Sequence, residues 1–545
     1  MPTYTPPIAD MKLLLEKVTP LTDLGRDDLD SGMVEAILEE AGKLAAGSIA
    51  PLNEAGDREG ARLENGDVKT AKGFKDAYKL YTEGGWNAVP FDVEFGGQGL
   101  PWLMSFPVQE MWQSASLSFG LCPLLNQGAV EAITHHGTSE QKEFYLPHLI
   151  AGNWTGTMNL TEPGAGSDLA LIKSKAERNG DGTYRIFGQK IFITYGDHDM
   201  ADNIIHLVLA RLPDAPEGVK GISLFIVPKF LADGTRNDVK CVGLEHKLGI
   251  HASPTCTMQF GDAGGAVGYL IGEEHQGLKY MFTMMNNARL SVGLQGVALC
   301  ERATQAAKAY AADRKQGKPL TGGDTATIDK HPDVKRMILS MESLTLAGRA
   351  LAYEAAFYLD KAATGDKGAQ ERVDLLTPIV KSWCTDNAVE VASLGVQVHG
   401  GMGFIEETGA AQFYRDARIL SIYEGTNGIQ SSDLVFRKLL RDDGAAMTRW
   451  SLEMKQTKDT DILASLSKLD SATAHLLDSK ANPDGVAAVS VPYLNLAGLV
   501  AGAVMLEKIA VADTSKTALL AFYKTHILPR AAAHAVTVQT GMTSV

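Results

Sequence analysis

The periodicity of the chain changes twice, and these changes constrain the fold more than any other feature. From Thr155 to about Ile271 the sequence consists of short β-branched and aromatic runs, TYRIFGQKIFIT, IIHLVLARL, ISLFIVP and TCTMQF, separated by DG, PDAPEG and DGT turns. Such runs are typical of strands that follow one another through tight turns. We therefore predict a central antiparallel β domain with helical segments on both sides of it in the chain.

Helical spacing dominates the segment before this β domain. After an irregular arm, apolar residues recur at helical spacing between residues 33 and 50, and Pro51 ends the helix. Further helical patterns run from Gly73 to Gly84 and from Ser105 to Leu149, with the Gly- and Pro-rich VPFDVEFGGQGLP as a loop between them. These patterns predict an N-terminal helical domain that ends near Gly152.

Long helical runs return after Gly277. They cover about residues 278–316, 333–364 and 374–397, which predicts a helical bundle. The last region begins at the charged TKDTD, and its apolar runs SVPYLNLAGLVAGAVMLEKIAVA and TALLAFYKTHILPRAAA suggest a packed helical hairpin that is too polar at its ends to span a membrane. The chain is thus predicted to have an α+β fold with domains at residues 1–152, 153–275, 276–446 and 447–545.

Composition narrows the classes of function. With 545 residues, of which 45% are hydrophobic, the chain can bury a large core divided among several domains. The net charge of -14 argues against a nucleic-acid surface, so a phosphate-bearing ligand would need a local basic patch. Five cysteines without CxxC spacing favour a reducing, cytoplasmic compartment, and the N-terminal residues lack the pattern of a signal peptide.

Two phrases in the β region carry groups that could bind a cofactor. LTEPGAGSD places the hydroxyls of Thr161 and Ser167 around a turn that can hold an anion or a planar polar ring, although a tight connector would use the same residues. GQKIFITYG places Phe192 and Thr194 two residues apart on a predicted strand, and therefore on one face. That face could contact a flat cofactor, whereas the alternative is that Phe192 belongs to the core.

A third phrase, QVHGGMGFIEETGAAQFYRDARILSIYEGTNGIQ, joins a glycine pair to a single acid. The glycine pair ends a helix and allows the backbone to approach a ligand closely. Glu424 lies in a turn-prone loop, and by itself it could be an ordinary exposed surface residue. His399 is a poor candidate for a metal ligand, because the thirteen histidines include no HExxH and no other convincing ligand pair.

The phrases TEPGAGSD, GQKIFIT, KLGIHASPTC, QVHGGMGF, YRDARI and IYEGTNGIQ resemble, in order and spacing, the acyl-CoA dehydrogenase family, over about residues 30–440. The opening residues and the added C-terminal region resemble a larger bacterial branch of that family. The resemblance implies an N-terminal helical domain, a central β domain and a C-terminal four-helix bundle, followed here by an extra C-terminal helical region. It also implies an FAD held between the β domain and the bundle.

By matching motifs, the resemblance also implies which residues bind FAD. Tyrosine is frequent in the family where Met158 stands, and tryptophan where Phe192 stands, so the contacts to the flavin ring differ here. Arg314 would reach FAD from a neighbouring subunit, which implies a homodimer. The implied cofactor-binding residues are Met158, Leu160, Thr161, Ser167, Phe192, Thr194, Arg314, Gln397, Gly400, Gly401 and Thr426.

The implied reaction removes the α-proton and a β-hydride from an acyl-CoA and yields a trans-2-enoyl-CoA. Glu424 matches the base of the family, and its backbone N–H, with a flavin ribityl hydroxyl, would polarise the thioester carbonyl. Burial by the substrate would raise the pKa of this carboxyl towards the working pH. The residues implied for substrate binding are Ser167, Arg289, Glu424 and Gly425, and for Arg289 a salt bridge within the bundle is the alternative.

The resemblance implies an electron-transferring flavoprotein as electron acceptor and no metal. It leaves the acyl group open among short thioether, straight-chain and arylpropionyl thioesters. Two other functions remain at this stage. One is an acyl-CoA oxidase that uses oxygen, and the other is a homologue that binds acyl-CoA without turnover.

Overall fold

The computed structural model describes residues 3–320 and 322–543. The chain divides into two compact units. The bundle unit comprises Met1–Gly42, Trp102–Ser114 and Arg289–Val545, and the sheet unit comprises Lys43–Pro101 and Ala115–Ala288. The predicted order of helices, β-sheet and helical bundle along the chain is observed. The boundaries predicted at residues 152, 275 and 446 stay predictions, because this division follows spatial contacts rather than chain order.

Helices precede the sheet along the chain, as predicted. In order they are α1 Ile8–Leu13, α2 Ser31–Leu44, α3 Leu52–Glu59, α4 Phe74–Glu83, α5 Trp102–Ala115, α6 Leu117–His136 and α7 Ser139–Ala151. The prediction of an irregular arm before residue 33 is wrong, because α1 continues into a π-helical turn at Leu14–Val18. Met11, Leu14 and Leu15 are buried at helical spacing, and this short apolar stripe folds the arm into helix.

The sheet unit contains the predicted β domain. Its strands are β1 Arg62–Glu64, β2 Asp67–Lys69, β3 Trp154–Asn159, β4 Lys175–Arg178, β5 Tyr184–Thr194, β6 Asn203–Arg211, β7 Ile222–Pro228, β8 Val239–Leu244, β9 Thr255–Phe260 and β10 Ala266–Leu270. β1 and β2 form a separate hairpin. In the main sheet the order is β10-β7-β6-β4-β5-β9-β8, and β10 also pairs with β5. The pairings are antiparallel except for β3 with β6 and one residue pair between β4 and β6.

Long helices form the bundle unit. After α8 Gly277–Asp313 they are α9 Pro332–Ala363, α10 Lys367–His399, α11 Ala410–Leu420, α12 Asn427–Ser432, α13 Ala445–Met454, α14 Thr460–Asp478, α15 Pro483–Ala488, α16 Ser490–Ala512, α17 Thr517–His526 and α18 Arg530–Thr540. Asp366 caps α10 by accepting hydrogen bonds from the N–H groups of Gly368 and Ala369, and α10 ends before Gly400, whose φ is 61°.

The C-terminal helix α16 packs against the bundle through two glycines. A Cβ built on Gly498 would lie 2.5 Å from the Trp383 indole, and one on Gly502 would lie 2.7 Å from the same ring. The absence of a side chain at these two positions, one turn apart, therefore allows close contact with Trp383 of α10. Within the part of the chain that the structure describes, α16 is the one helix long and apolar enough to cross a membrane, with a mean hydropathy of 1.6. However, 78% of that apolar window is buried in the protein, as in a core helix.

Candidate active site

The loop between α11 and α12 holds Glu424 in an uncommon backbone conformation. Glu424 has a φ of 55° and Gly425 a φ of 81°, so two successive residues are left-handed. For a residue other than glycine, asparagine or aspartate this conformation is uncommon, and it persists where the surroundings fix it. Thr426 then accepts a hydrogen bond from the N–H of Ile429 at 3.2 Å and caps α12.

Gln430 fixes this backbone from within α12. Its side-chain amide donates to the carbonyl of Glu424 at 3.2 Å and to the carbonyl of Gly425 at 3.3 Å. A Cβ at residue 425 would lie 2.8 Å from that amide nitrogen, so the position requires glycine for space as well as for conformation. The Gln430 side chain therefore fixes the main chain of Glu424, which is not an unrestrained surface turn.

Two cationic side chains of the bundle unit act on the Glu424 carboxyl. They are Arg289 of α8 and Lys381 of α10, and both are buried. Glu424 is half-buried, and burial raises the pKa of its carboxyl to about 7, against the opposing effect of the two cations. A Cβ at residue 425 would also lie 3.7 Å from the Arg289 guanidinium, which places this arginine beside the loop.

In the sheet unit, two predicted cofactor phrases lie together. The N–H of Ile191 on β5 donates to the carbonyl of Thr161 at 2.9 Å, and the Lys190 ammonium donates to the carbonyl of Leu160 at 3.0 Å. Met158 is buried at the end of β3, whereas Leu160 and Thr161 are half-buried. The turn that follows β3 is thus tied to the strand that carries Phe192 and Thr194; further along this loop, Ser167 is exposed.

A buried ion pair that the sequence phrases did not single out fixes this arrangement. Lys190, which is fully buried, contacts the Glu162 carboxylate at 2.8 Å. Glu162 also accepts hydrogen bonds from the N–H groups of Lys173 at 2.6 Å and of Ser174 at 3.0 Å. Glu162 lies inside the phrase TEPGAGSD and Lys190 inside GQKIFIT, so the pair joins the two phrases. The available sign of this pair in the sequence was a lysine at a position of β5 where the alternation of the strand predicts a buried side chain.

Phe192 points to solvent instead of to the core. It is 58% exposed, and its φ of 61° coincides with a shift in register between Lys190 and Ile193 in the pairing of β5 with β9. Thr194 is half-buried two residues later. The alternative that Phe192 is a core residue is therefore not observed. An exposed aromatic ring can cover one face of a flat ring such as the flavin of FAD.

In the bundle unit, the remaining predicted cofactor residues lie at two neighbouring helix ends. Arg314 follows the end of α8, whereas Gln397, Gly400 and Gly401 lie at the end of α10. All four residues are exposed. The two ends are close, because the rings of Tyr310 and His399 stack with their centroids 4.4 Å apart. A Cβ built on Gly400 or Gly401 meets no atom within 4 Å, so this backbone is open to a phosphate-bearing ligand.

His399 has a structural partner. Its Nδ1 lies 2.7 Å from the carbonyl oxygen of Gly395, one turn earlier in α10. Over residues 3–320 and 322–543 no group of three or more histidine, cysteine or carboxylate side chains is placed to hold a metal ion. In the bundle unit, the candidate site therefore consists of the Glu424 carboxylate and the two cations that act on it.

Family sequence models match nearly the whole chain. The acyl-CoA dehydrogenase N-terminal domain matches residues 33–153, the middle domain residues 157–263 and the C-terminal domain residues 275–439. An acetyl-CoA dehydrogenase C-terminal-like domain matches residues 456–545. The last match covers the region of α14 to α18, which lies beyond the six family phrases and was expected to resemble a larger bacterial branch of the family.

Known proteins resemble the chain over similar lengths. The 3-methylmercaptopropionyl-CoA dehydrogenase of Ruegeria pomeroyi is 49% identical over 527 residues, or 91% of this chain and 89% of that protein. A solved chain described under the electron transferring flavoprotein of Acidaminococcus fermentans is 28% identical, with a TM-score of 0.64, and the match covers 75% of this chain and 98% of that one.

A longer structural match shows the fold alone. The acyl-CoA dehydrogenase of Bacillus anthracis complexed with FAD has a TM-score of 0.77 at 22% identity, and the match covers 97% of this chain and 91% of that one. The predicted α+β fold, with its added C-terminal helical region, is confirmed. Together, the matched domains and the 49% identical relative show that this chain belongs to the acyl-CoA dehydrogenase family of FAD-dependent oxidoreductases.

Proposed function

We propose that the chain converts an acyl-CoA thioester to a trans-2-enoyl-CoA, with Glu424 as the base that removes the α-proton. The observation that supports this most is the half-buried Glu424 carboxyl, whose pKa burial raises to about 7 on a backbone fixed by Gln430. A base with a pKa near the working pH is substantially ionised and still gains a proton readily. A surface turn would need neither the fixed backbone nor the buried cations.

Each residue of the site would have a distinct role in this reaction. The Glu424 carboxylate takes the proton, while its backbone N–H donates to the thioester carbonyl and stabilises developing enolate charge. Gln430 keeps that peptide oriented through its two carbonyl contacts. FAD, when bound, supplies the acceptor for the β-hydride. The residues that would hold FAD are Met158, Leu160, Thr161, Ser167, Phe192, Thr194, Arg314, Gln397, Gly400, Gly401 and Thr426.

The rate of substrate-dependent flavin bleaching should depend on pH. Because burial raises the pKa of Glu424 to about 7, the ionised base is scarce below that pH and dominant above it. We therefore expect the single-turnover rate to rise through neutral pH and to level off under alkaline conditions. Stopped-flow absorbance on the FAD-loaded protein measures this, and a flat profile from acidic to alkaline pH would contradict the assignment of the base.

We propose a short thioether acyl group as the substrate. The support is the 49% identity to a 3-methylmercaptopropionyl-CoA dehydrogenase. Anaerobic bleaching with 3-methylmercaptopropionyl-CoA, butyryl-CoA, a long-chain acyl-CoA and an arylpropionyl-CoA tests it. The highest kcat/KM with the thioether is expected, and a higher value with another thioester would replace the substrate while leaving the reaction class intact. No bleaching by any of the four would count against the dehydrogenation itself.

An electron-transferring flavoprotein is the proposed acceptor. The likeness to a chain described under such a flavoprotein supports it. After anaerobic reduction by substrate, the protein should be reoxidised faster by electron-transferring flavoprotein than by oxygen. Rapid stoichiometric peroxide formation in air, with no reduction of the flavoprotein, would identify an oxidase instead.

Arg314→Ala should weaken FAD retention, since we propose that this exposed arginine contacts the FAD of a second subunit in a homodimer. Lys318→Ala removes another exposed cation four residues later and serves as the control. FAD content after gel filtration and the mass of the eluted species are the measurements. Equal FAD content in a folded, dimeric Arg314 variant and in the control would rule out the contact.

A further inference from the structure

Lys381 is a fully buried lysine in the middle of α10. Its ammonium donates a hydrogen bond of 2.8 Å to the side-chain oxygen of Asn427, the first residue of α12. A buried ammonium group is costly unless hydrogen bonds and opposite charges compensate it. The neutral oxygen of Asn427 supplies the hydrogen bond, so the opposite charge must come from elsewhere.

Asn427 connects Lys381 to the loop that carries Glu424. The Asn427 amide nitrogen donates to the carbonyl of Ser382 at 3.2 Å, to the Thr385 hydroxyl at 3.0 Å and to the Asp386 carboxylate at 2.7 Å. These acceptors lie on one stretch of α10. The start of α12 is therefore anchored to α10 through both the oxygen and the nitrogen of the Asn427 amide. Asn427 lies three residues after Glu424.

Charged groups surround the Lys381 ammonium from several elements. The Glu424 and Asp386 carboxylates attract it, whereas Arg289 of α8 repels it. Arg289 in turn faces Asp433 and Arg437 of the segment that follows α12. Burial lowers the pKa of Lys381 to about 7, and the two carboxylates oppose that effect.

We propose that Lys381 is a positioning residue, which anchors the Glu424 loop through Asn427 and favours the ionised form of the Glu424 carboxylate. This inference rests on the proposed function, in which Glu424 is the base. Two consequences of the lysine are separable, because an uncharged side chain of suitable length can keep a donor to Asn427 but cannot attract the carboxylate. Only the charge should govern the pH at which Glu424 becomes able to take a proton.

The test compares the pH profiles of acyl-CoA-dependent flavin bleaching in Lys381→Met, Lys381→Gln and Lys381→Arg. An adjacent opposite charge shifts a carboxyl pKa by about 1 to 3. In the Met and Gln variants, the midpoint of the rate profile should therefore move upwards by about one pH unit or more. Bleaching should be about tenfold slower than in the wild type below the new midpoint, and nearly unchanged above it. Lys381→Arg, which keeps the charge, should restore the wild-type midpoint.

Lys438→Met is the matched control, because Lys438 also contacts α10, at Asp374 with 3.3 Å, but is placed outside the Glu424 cluster. Its profile should match the wild type. The infrared band of the protonated Glu424 carboxyl, assigned by its loss in Glu424→Gln, reports the same titration without turnover. If the Met variant does not fold, the Gln and Arg variants carry the comparison.

The outcomes separate this inference from the proposed function. If Glu424→Gln blocks bleaching and all Lys381 variants keep the wild-type midpoint, the charge role of Lys381 is refuted and the base assignment stands. If Glu424→Gln bleaches normally, the base assignment itself fails, and the inference fails with it. A shifted midpoint in Met and Gln but not in Arg supports the proposal.

Discussion

Replacing Glu424 with glutamine should abolish acyl-CoA-dependent bleaching of the flavin while FAD stays bound. Glutamine keeps the shape of the side chain and the backbone N–H but cannot accept the α-proton. A positioned general base contributes about 10²- to 10⁴-fold to a rate, so the loss should fall in that range or exceed it. Anaerobic stopped-flow absorbance measures the effect, and the visible spectrum of the variant reports its FAD content.

The stability of this variant gives an independent check. The pKa of Glu424 is raised by burial, so the folded state binds this proton more tightly than the unfolded state does. The ionised carboxylate thus lowers the stability of the wild type as the pH rises from the ordinary value towards and beyond 7. Neutral glutamine should make the fold at least as stable at alkaline pH. Glu407→Gln, at an exposed site, is the control for both measurements. If Glu424→Gln bleaches the flavin as fast as this control does, the assignment of Glu424 as the base is refuted.

Arg349→Met should destabilise the bundle unit by about 3 to 5 kcal/mol, because it leaves buried carboxylates without their cation. Arg349, only 1% exposed, contacts Glu110 of α5 at 2.7 Å and Glu301 of α8 at 2.5 Å. The Tyr353 hydroxyl donates to the other oxygen of Glu110 at 2.9 Å. Burial raises the pKa of Glu110, and the guanidinium opposes this. The midpoint of the first urea-unfolding transition measures the loss.

The double variant Glu110→Gln/Arg349→Met should recover part of this loss, since it removes one of the stranded charges together with the cation. Arg530→Ala is the exposed comparison, because its pair with Glu390 is solvent-exposed and such pairs contribute about 0 to 1 kcal/mol. If Arg349→Met shifts the urea midpoint no more than Arg530→Ala does, the cluster contributes little to stability.

The sequence predicts the larger elements because each has a strong period. The β5, β6, β7 and β9 strands and the helices α8 to α10 lie close to their predicted positions. The N-terminal arm was missed, since its apolar stripe is too short to distinguish a helix from a loop without the helices that it packs against. The parallel pairing of β3 with β6 was also not predicted, because strand direction depends on chain topology and leaves no local pattern.

The residues of the candidate site were predicted mainly from the family phrases in the sequence. The buried residues that hold the site in place were not predicted. Neither Lys190 nor Lys381 was predicted to be buried, because lysine is usually exposed. Their burial depends on partners distant in the chain, Glu162 and Asn427. Phe192 shows the converse case, because alternation left open whether it faces a cofactor or the core, and the register shift at which it is exposed was not predicted.

The contact of α16 with Trp383 makes the C-terminal region part of the packing of the bundle. Truncation before α16 would remove the glycines that contact an indole two residues from Lys381, and a larger residue at Gly498 or Gly502 would clash with that indole. Removal of this packing would leave a cavity beside α10 and should lower the stability of the bundle unit. Changes in α16 are therefore expected to disturb the part of α10 that holds Lys381 and, through Asn427, the Glu424 loop.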